Sequence, residues 1–518
     1  MAKNKSFISN VSWKFAERIT AQIVTTIVSI IIATILNPED YGIIAIVNIF
    51  ITIANVFVSD GLGSALIQKK DADALDFSSI LYFNIFFSCV LYAILFFTAP
   101  LISRFYGDGF EILTPVIRVL GIRLIFSAIN SIQQAYVARE MIFKKFFWAT
   151  IIGTIISAVV GIWMALSGYG VWALVAQYLT NVTVDTVALI ILLHKRPLVA
   201  FSWKRVKKLI GFGSKVLGTN LLITGYSEMR GLLIGKLYSK EDLAFYERGN
   251  QFPSLIITNV NSSISAVLFP KMSDYQEDKA KVKEITKMSI RMCSFIFAPM
   301  MFGLLAVAPI FVAAILKEKW LPCVPFIQLL AMNYLFYPIH SANMSAIKAM
   351  KKGTTLLVLE IVKKVVEIGV LFIVLWYGVN AIVIGMVACS TAFVFVNAWP
   401  NKKIIGYSVF EQIKDTLAPL LMSTAMAVPV YFMKYLPIPL WIILILQIIC
   451  GIGIYFGLAF LTKNKELSFL IKTLKEKVFN KKSSKEVAQT SANSEASDIQ
   501  QDEPVQIIEN GNNENTGE

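Results

Sequence analysis

The fold is decided by runs such as ITAQIVTTIVSIIIATIL, residues 19–36, which contains no charged side chain. A run of roughly 20 apolar residues is long enough to cross the hydrocarbon core of a bilayer as an α-helix. Similar runs follow between polar breaks, at 43–67, 78–101, 112–137, 147–166, 171–193, 209–237, 252–269, 290–316, 321–347, 356–376, 379–399, 417–433 and 440–461. The sequence therefore predicts an all-α, polytopic membrane protein with about fourteen transmembrane helices.

The overall composition agrees with this prediction. The chain has 518 residues, 56% of them hydrophobic and only 16% charged, with a mean hydropathy of +0.65. A soluble globular protein is excluded, because such proteins carry about 25% charged residues. With so much apolar sequence, function has to lie within the helical bundle.

The net charge of +14 follows the predicted topology. Basic pairs such as Lys69-Lys70, Lys144-Lys145 and Lys402-Lys403 fall in the loops on the side of the N-terminus, whereas the opposite loops hold few Lys or Arg. Since basic loops stay on the cytoplasmic side, we expect both termini in the cytoplasm. Most of the positive charge therefore reports orientation, and we expect no nucleic-acid partner.

The sequence offers little material for enzymatic chemistry. The two histidines, His194 and His340, belong to no metal-binding or catalytic motif. The five cysteines are far apart and form no CxxC pair. Nucleotide-binding and nucleophile motifs are also missing; Gly61-Leu62-Gly63, for example, lacks the third glycine of a dinucleotide fingerprint. We therefore expect no enzyme, no cofactor and no metal site.

An internal repeat divides the chain. Residues 37–42 (NPEDYG) resemble 239–244 (SKEDLA), and residues 169–175 (YGVWALV) resemble 377–383 (YGVNAIV). Both offsets are about two hundred residues, or six predicted helices, so the two copies have the same orientation. The alternative is chance similarity between apolar loops. The repeat predicts a six-helix lobe at 1–195, a second at 196–400, two additional helices at 401–462, and a disordered cytoplasmic tail at 463–518 that is first basic and then acidic.

Polar and charged residues interrupt several of the predicted helices. Because an ionisable group inside a bilayer is costly, it usually faces a wet interior or a partner. Cations and amides in such an interior suit a phosphate-bearing, sugar-rich ligand, and carboxylates can take up a coupling proton or sodium ion. The predicted substrate-binding residues are Arg18, Arg118, Arg123, Lys215, Arg230, Lys363, Lys364, Asn259 and Asn261. The predicted ion-coupling residues are Asp60, Asp185, Glu228, Glu360 and Glu367.

Each of these assignments has a structural alternative. Arg18, Asp60 and Lys215 lie near the cytoplasmic ends of their helices and can reach the interface by snorkelling. The stripe of charges at 360–367, spaced i, i+3, i+4 and i+7, can neutralise itself. The polar residues at 258–265 can simply hydrogen-bond neighbouring helices.

Several of these segments resemble one family. Residues 36–42, 60–70, 82–84, 99–106, 242–248 and 267–273 are similar to bacterial polysaccharide transporters, the Wzx-type flippases of the multidrug/oligosaccharidyl-lipid/polysaccharide exporter superfamily. The resemblance implies a fourteen-helix, two-lobed carrier in the bacterial inner membrane. It would move undecaprenyl-diphosphate-linked units for O-antigen, capsule or exopolysaccharide outward by alternating access, with an ion gradient as the drive. Polysaccharide polymerase and chain-length machinery are the partners that it implies.

Two other functions remain open on the sequence. An exporter of small organic molecules or drugs would share the fold, but the cationic interior disfavours cationic cargo. A membrane glycosyltransferase or polymerase is expected to show a sizeable outer loop or a cytoplasmic domain with acidic pairs, and neither is evident.

Overall fold

The structure is a computed structural model that describes residues 2–59, 63, 66–67, 69, 71–193 and 200–472. The side chains of residues 2–12, 15, 212, 215 and 260–270 lie outside this description. Consequently Asp60, His194 and the side chains of Lys215 and Asn261 lie outside the described residues, as does the acidic part of the tail.

The described chain is helical throughout. Its first helices are α1 Ala2–Ile35, α2 Pro38–Ser59, α3 Ala74–Tyr106, α4 Leu113–Leu120, α5 Arg123–Glu140, α6 Phe143–Leu166, α7 Val171–Leu193 and α8 Trp203–Leu237. They are followed by α9 Lys240–Asp274, α10 Lys279–Phe311, α11 Val324–Tyr334, α12 Tyr337–Ala349, α13 Gly353–Val374, α14 Val379–Ile404, α15 Val409–Phe432 and α16 Leu440–Leu461. The described residues contain no strand, which confirms the all-α prediction.

Local sequence fixes where several helices begin. Asp73, Ser239 and Ser408 precede α3, α9 and α15, and each accepts a hydrogen bond from the backbone N–H three residues later. The acidic residue at that third position bonds back to the cap in all three cases, which forms a capping box. Such caps satisfy N–H groups that a helix start would otherwise leave unpaired.

Eleven helical segments of the described chain are long and apolar enough to cross a membrane. They include α1, α2, α3, α6 and α7, and the joined segments Leu113–Glu140, Lys279–Leu316 and Glu318–Ala349. The predicted spans at 209–237, 252–269 and 356–376 lie in the continuous helices α8, α9 and α13, which are not among these eleven segments; in α9 the side chains at 260–270 lie outside the described residues. The chain is therefore a multi-pass membrane protein, and the count of fourteen is not confirmed.

The exposed surface of the described helices is apolar where lipid is expected. On α1, Ile19, Ile23 and Ile27 form an i, i+4 stripe, and each exposes about half of its surface. Soluble proteins rarely expose such a stripe, whereas lipid tails cover it without cost. The core lies on the opposite side, where residues such as Ile32 and Ile46 are fully buried.

Helix packing places α2 at a central position. Backbone contacts group Met1–Gly451 into one compact unit, with the described residues from Ile452 onward in a second. Within the first unit, α6 packs against α1 and α7, and α10 packs against α15. The helix α2 packs against both α8 and α9. The division into lobes at residue 195 stays a prediction.

The two segments that match in the sequence repeat lie against each other. A Cβ atom placed on Gly42 would lie 2.6 Å from the carbonyl carbon of Lys240, so only glycine permits this approach of α2 to α9. The Nζ of Lys240 also lies 3.4 Å from Glu39 Oε2. Nearby, Trp320 Nε1 donates to the Ala33 carbonyl at 2.9 Å. We refer to the contact of residues 39–42 with Lys240 as the α2/α9 junction.

Candidate functional site

Two polar cavities lie among the helices of the first unit. The larger, of about 590 Å³, is bounded by α8, α11, α12, α13 and α14, and we call it the α13 cavity. Its ionisable lining residues are Tyr226, Arg230, Tyr334, Tyr337, His340, Lys363, Lys364, Glu367 and Cys389. It therefore collects Arg230, Lys363, Lys364 and Glu367, four of the residues predicted from the sequence.

The charges on α13 are largely paired along the helix. Lys363 Nζ lies 2.8 Å from Glu360 Oε1, and Lys364 Nζ lies 2.8 Å from Glu367 Oε2. The hydroxyl of Tyr226, on α8, donates to Glu367, and Lys364 lies 3.8 Å from the centre of the Tyr226 ring. This arrangement neutralises both lysines, as the structural alternative proposed.

Arg230 is the cation of this cavity without a paired carboxylate. Its guanidinium lies 5.5 Å from the centre of the Tyr226 ring, and its Nε atom is buried with no hydrogen-bond partner among the described residues. A half-buried arginine with an unsatisfied buried donor is a favourable place for an anionic group.

The second cavity, of about 320 Å³, lies between α1, α2, α7, α8 and α9, next to the junction defined above; we call it the α2/α9 cavity. Glu228, Glu247 and Arg248 supply its charges, while Ser29, Asn48, Thr52, Tyr178 and Gln251 are among its polar lining residues. Glu228 was predicted from the sequence, whereas Glu247 and Arg248 were not assigned to a site.

Arg248 is held rigidly at the edge of this cavity. Only 4% of its surface is exposed, and its Nη1 donates to Ser29 Oγ at 2.9 Å and Gln251 Oε1 at 2.7 Å. The guanidinium lies 4.5 Å from the centre of the Tyr41 ring and 4.9 Å from that of Trp320. Its Nη2 is buried and has no hydrogen-bond partner among the described residues.

Other predicted cations lie outside both cavities. Arg118 donates from Nε to the Phe96 carbonyl at 3.2 Å and stacks on the Phe96 ring at 4.3 Å. Arg18 is exposed, and its Nη2 donates to the Thr258 carbonyl on α9 at 3.3 Å. Arg118 and Arg18 thus connect neighbouring helices and line neither cavity.

Arg123 and Asn259 have different surroundings. Arg123 lies 5.7 Å from the centre of the Tyr178 ring, so it stands directly behind a residue that lines the α2/α9 cavity. The side chain of Asn259 donates to the Leu255 carbonyl of its own helix at 2.9 Å. Arg123 can thus act on the cavity through Tyr178, while Asn259 lines neither cavity.

Asp185 belongs to a separate polar group between α5, α6 and α7. Its carboxylate accepts hydrogen bonds from Asn130 Nδ2 at 2.8 Å and from Thr150 Oγ1 at 3.5 Å. Neither cavity includes it.

The structure separates two residues that the sequence places side by side. Glu228 and Arg230 are two positions apart on α8, and side chains at that spacing point to nearly opposite faces of a helix. Glu228 accordingly lines the α2/α9 cavity and Arg230 the α13 cavity.

Comparisons with known proteins agree with this fold. The chain is 24% identical to the succinoglycan biosynthesis transport protein ExoT of Rhizobium meliloti, over 70% of this chain and 74% of that protein. It is 21% identical to the lipopolysaccharide biosynthesis protein WzxC of Escherichia coli, over 64% of this chain and 68% of that protein. Among solved structures, the lipid II flippase MurJ in an inward closed conformation has a TM-score of 0.65 at 17% identity, covering 87% of this chain and 98% of that one.

The family assignment rests on a match to a family model. A sequence model of the family described as polysaccharide biosynthesis protein matches residues 31–325. This range includes α2 to α10 and the charged residues of the α2/α9 cavity, Glu228, Glu247 and Arg248. Because this match spans more than half of the 518 residues, the chain belongs to the polysaccharide biosynthesis protein family.

Proposed function

We propose that this protein is a flippase that moves undecaprenyl-diphosphate-linked oligosaccharide across the bacterial cytoplasmic membrane. The observation that carries the proposal is Arg230, a half-buried cation whose buried Nε has no hydrogen-bond partner among the described residues, in a cavity of about 590 Å³ within a transporter fold. The names of relatives, which include a succinoglycan transport protein and a lipopolysaccharide biosynthesis protein, support polysaccharide as the cargo.

Arg230 is the residue that first binds the diphosphate in this proposal. Guanidinium binds phosphate oxygens bidentately, and a cavity between helices shields the contact from bulk water. Lys363 and Lys364 already have carboxylate partners, so each can join only by exchanging that partner for a phosphate. Such an exchange would couple cargo binding to a rearrangement of α13.

Alternating access requires one side to close while the other opens. In this proposal, the contact of residues 39–42 with Lys240 is the closed side of the α2/α9 cavity, which Tyr41 also lines. The distribution of basic loops supports an extracytoplasmic position for this contact, with both termini in the cytoplasm. The protein then faces the cytoplasm, where lipid-linked precursors would be loaded before a polymerase and chain-length machinery use them.

A coupling proton or sodium ion is part of the same proposal. Asp185 and Glu367 are the favoured acceptors, since each is half-buried and accepts hydrogen bonds from side chains of other helices. Glu360 is less suitable, because its side chain is 46% exposed.

The direct test is transport in proteoliposomes. Fluorescent undecaprenyl-diphosphate-linked sugar is placed in both leaflets, and its accessibility to a membrane-impermeant quencher is followed over time. We expect the wild type to make the protected fraction accessible, and Arg230→Ala to slow this about ten- to hundredfold, the value of one charge-assisted hydrogen bond. Arg123→Ala, combined with it, should lower the rate further.

Arg104→Ala is the matched control, because Arg104 is exposed in the last turn of α3 and lines neither cavity. An Arg230→Ala/Arg123→Ala double variant that folds and still transports at the wild-type rate would refute the role of the cationic interior. Wild-type protein that never equilibrates the lipid would refute the flippase itself.

A further inference from the structure

One buried donor without a partner lines the α2/α9 cavity. Arg248 is only 4% exposed, and its Nη2 is buried with no hydrogen-bond partner among the described residues. Polar groups inside a protein are nearly always satisfied by protein, water or ligand. Glu228, which is half-buried, and Glu247, which is exposed, line the same cavity, so their carboxylates are available to a ligand that Arg248 also binds.

The carboxylate of Glu247 faces the interior of the α2/α9 cavity. Glu247 lies two turns into α9 next to α2 and α8, where a Cβ on Gly231 would lie 3.7 Å from its Oε1. Even so, the residue is exposed, and the accessible surface belongs to the cavity that it lines. Its carboxylate is thus directed at cavity contents between the helices.

The charges of the cavity narrow the chemistry of the ligand. Two carboxylates against one guanidinium disfavour an anionic group, and the guanidinium disfavours a bare metal ion. A neutral ligand with many hydroxyl groups meets both requirements, because its hydroxyls can donate to Glu228 and Glu247 while an oxygen accepts from Arg248 Nη2. Tyr178 adds an aromatic side chain to the same lining. A volume of about 320 Å³ is within the range of small-molecule sites.

We propose that the α2/α9 cavity binds one neutral sugar ring of the cargo, and so reads the sugar next to the lipid diphosphate. This inference rests on the proposed flippase function. The positions are compatible with one ligand, since a Cβ on Gly231, the residue after Arg230, would lie 3.7 Å from Glu247 Oε1. Arg230 and Glu247 also lie within electrostatic range of each other. The diphosphate then contacts Arg230 while the sugar contacts Glu247 and Arg248.

The test compares two kinds of lipid on the full-length protein in nanodiscs. The probes are undecaprenyl diphosphate alone and undecaprenyl diphosphate carrying a single glucose, galactose or N-acetylglucosamine. We expect the wild type to bind at least one sugar-bearing lipid five- to tenfold more tightly than the bare lipid, the value of about one net hydrogen bond. Glu247→Ala should abolish this preference and leave the Kd of the bare lipid unchanged.

Matched variants separate this role from folding. Glu284→Gln changes an exposed carboxylate paired with Lys281 near the start of α10, and it should keep the sugar preference. Glu247→Gln keeps the shape of the side chain and one acceptor, so it serves if Glu247→Ala fails to fold. Arg230→Ala should weaken both kinds of lipid.

The outcomes distinguish this inference from the function beneath it. Equal wild-type affinity for bare and sugar-bearing lipids, a preference that survives in both Glu247 variants, or equal weakening of both lipids by Glu247→Gln would overturn the sugar site and leave the flippase intact. If the wild type binds neither kind of lipid, the proposed function itself fails.

Discussion

Replacing Gly42 with alanine tests whether the α2/α9 junction is a gate. The added Cβ would lie 2.6 Å from the carbonyl carbon and 3.0 Å from the Cα of Lys240, both backbone atoms that cannot rotate away. Carbon atoms in contact are normally about 3.5–4.0 Å apart, so α2 and α9 must separate by about 1 Å. The substitution therefore acts against the closed state alone.

The magnitude follows from the overpacking, which costs about 1–3 kcal/mol. Alanine also favours a helix over glycine by up to about 1 kcal/mol, but α2 is a helix in both the open and the closed state, so this gain leaves their ratio unchanged. With the lower part of the overpacking range, a loss of about 1–2 kcal/mol in the closed state raises the relative population of an open state about five- to thirtyfold.

Cysteine accessibility measures this shift. Thr52 is exposed and lines the α2/α9 cavity, so Thr52→Cys is a reporter, in a background where Cys89 and Cys450 are serine. A membrane-impermeant maleimide added from the extracytoplasmic side should label it five- to thirtyfold faster when Gly42→Ala is present. Gly369→Ala is the control, since a Cβ on Gly369 meets no described atom within 4 Å.

Two results would refute the reasoning. Unchanged labelling together with an unchanged unfolding temperature would mean that α2 and α9 do not approach as closely as the structure has them. Lower stability without faster labelling would mean that the junction is a permanent contact and not a gate.

Two substitutions test residues outside the cavities. Arg118→Ala removes a hydrogen bond and a cation–π contact to Phe96. It should therefore lower the free energy of unfolding by about 1–2 kcal/mol and leave lipid binding in nanodiscs unchanged. Weakened lipid binding at unchanged stability would mean that Arg118 belongs to the substrate site. Asn343→Ala removes the hydrogen bond from Asn343 Nδ2 to the buried Gln412 Oε1 (2.7 Å) and the bond that Asn343 Oδ1 accepts from Asn401 Nδ2 (2.6 Å), so it should cost about 1–3 kcal/mol in chemical denaturation. An unchanged midpoint would contradict this network.

The sequence predicts helix positions well, because apolarity along the chain is a local property. The predicted span at 171–193 coincides with α7, and 440–461 coincides with α16. The predictions at 19–36 and 43–67 miss the starts of α1 and α2, since both helices begin in polar residues before the apolar run. Hydropathy locates the part of a helix inside lipid and not the helix itself.

The site was predictable only in part, because the direction of a side chain depends on tertiary packing. The charges on α13 stand out in an apolar sequence, and their spacing places them on one stripe. The partners of Asp185 cannot be read in this way, since Asn130 and Thr150 come from two other helices. Glu247 escaped notice because it precedes the apolar run that marks the predicted span at 252–269, although α9 begins at Lys240.

Three long helices, α8, α9 and α13, lie outside the eleven apolar segments, and charged side chains interrupt the predicted spans of α8 and α13. At about 1.5 Å rise per residue, α8 and α9 are about 52 Å long and α13 about 33 Å, and each exceeds the hydrocarbon thickness of about 30 Å. On α13, exposed Leu357 and Val365 accompany the charged stripe, so the helix offers lipid one face and the cavity another. Three of the four charged residues that lower the hydropathy of α13, Lys363, Lys364 and Glu367, line the α13 cavity, so the side chains that weaken its transmembrane signal are largely those that make the cavity polar.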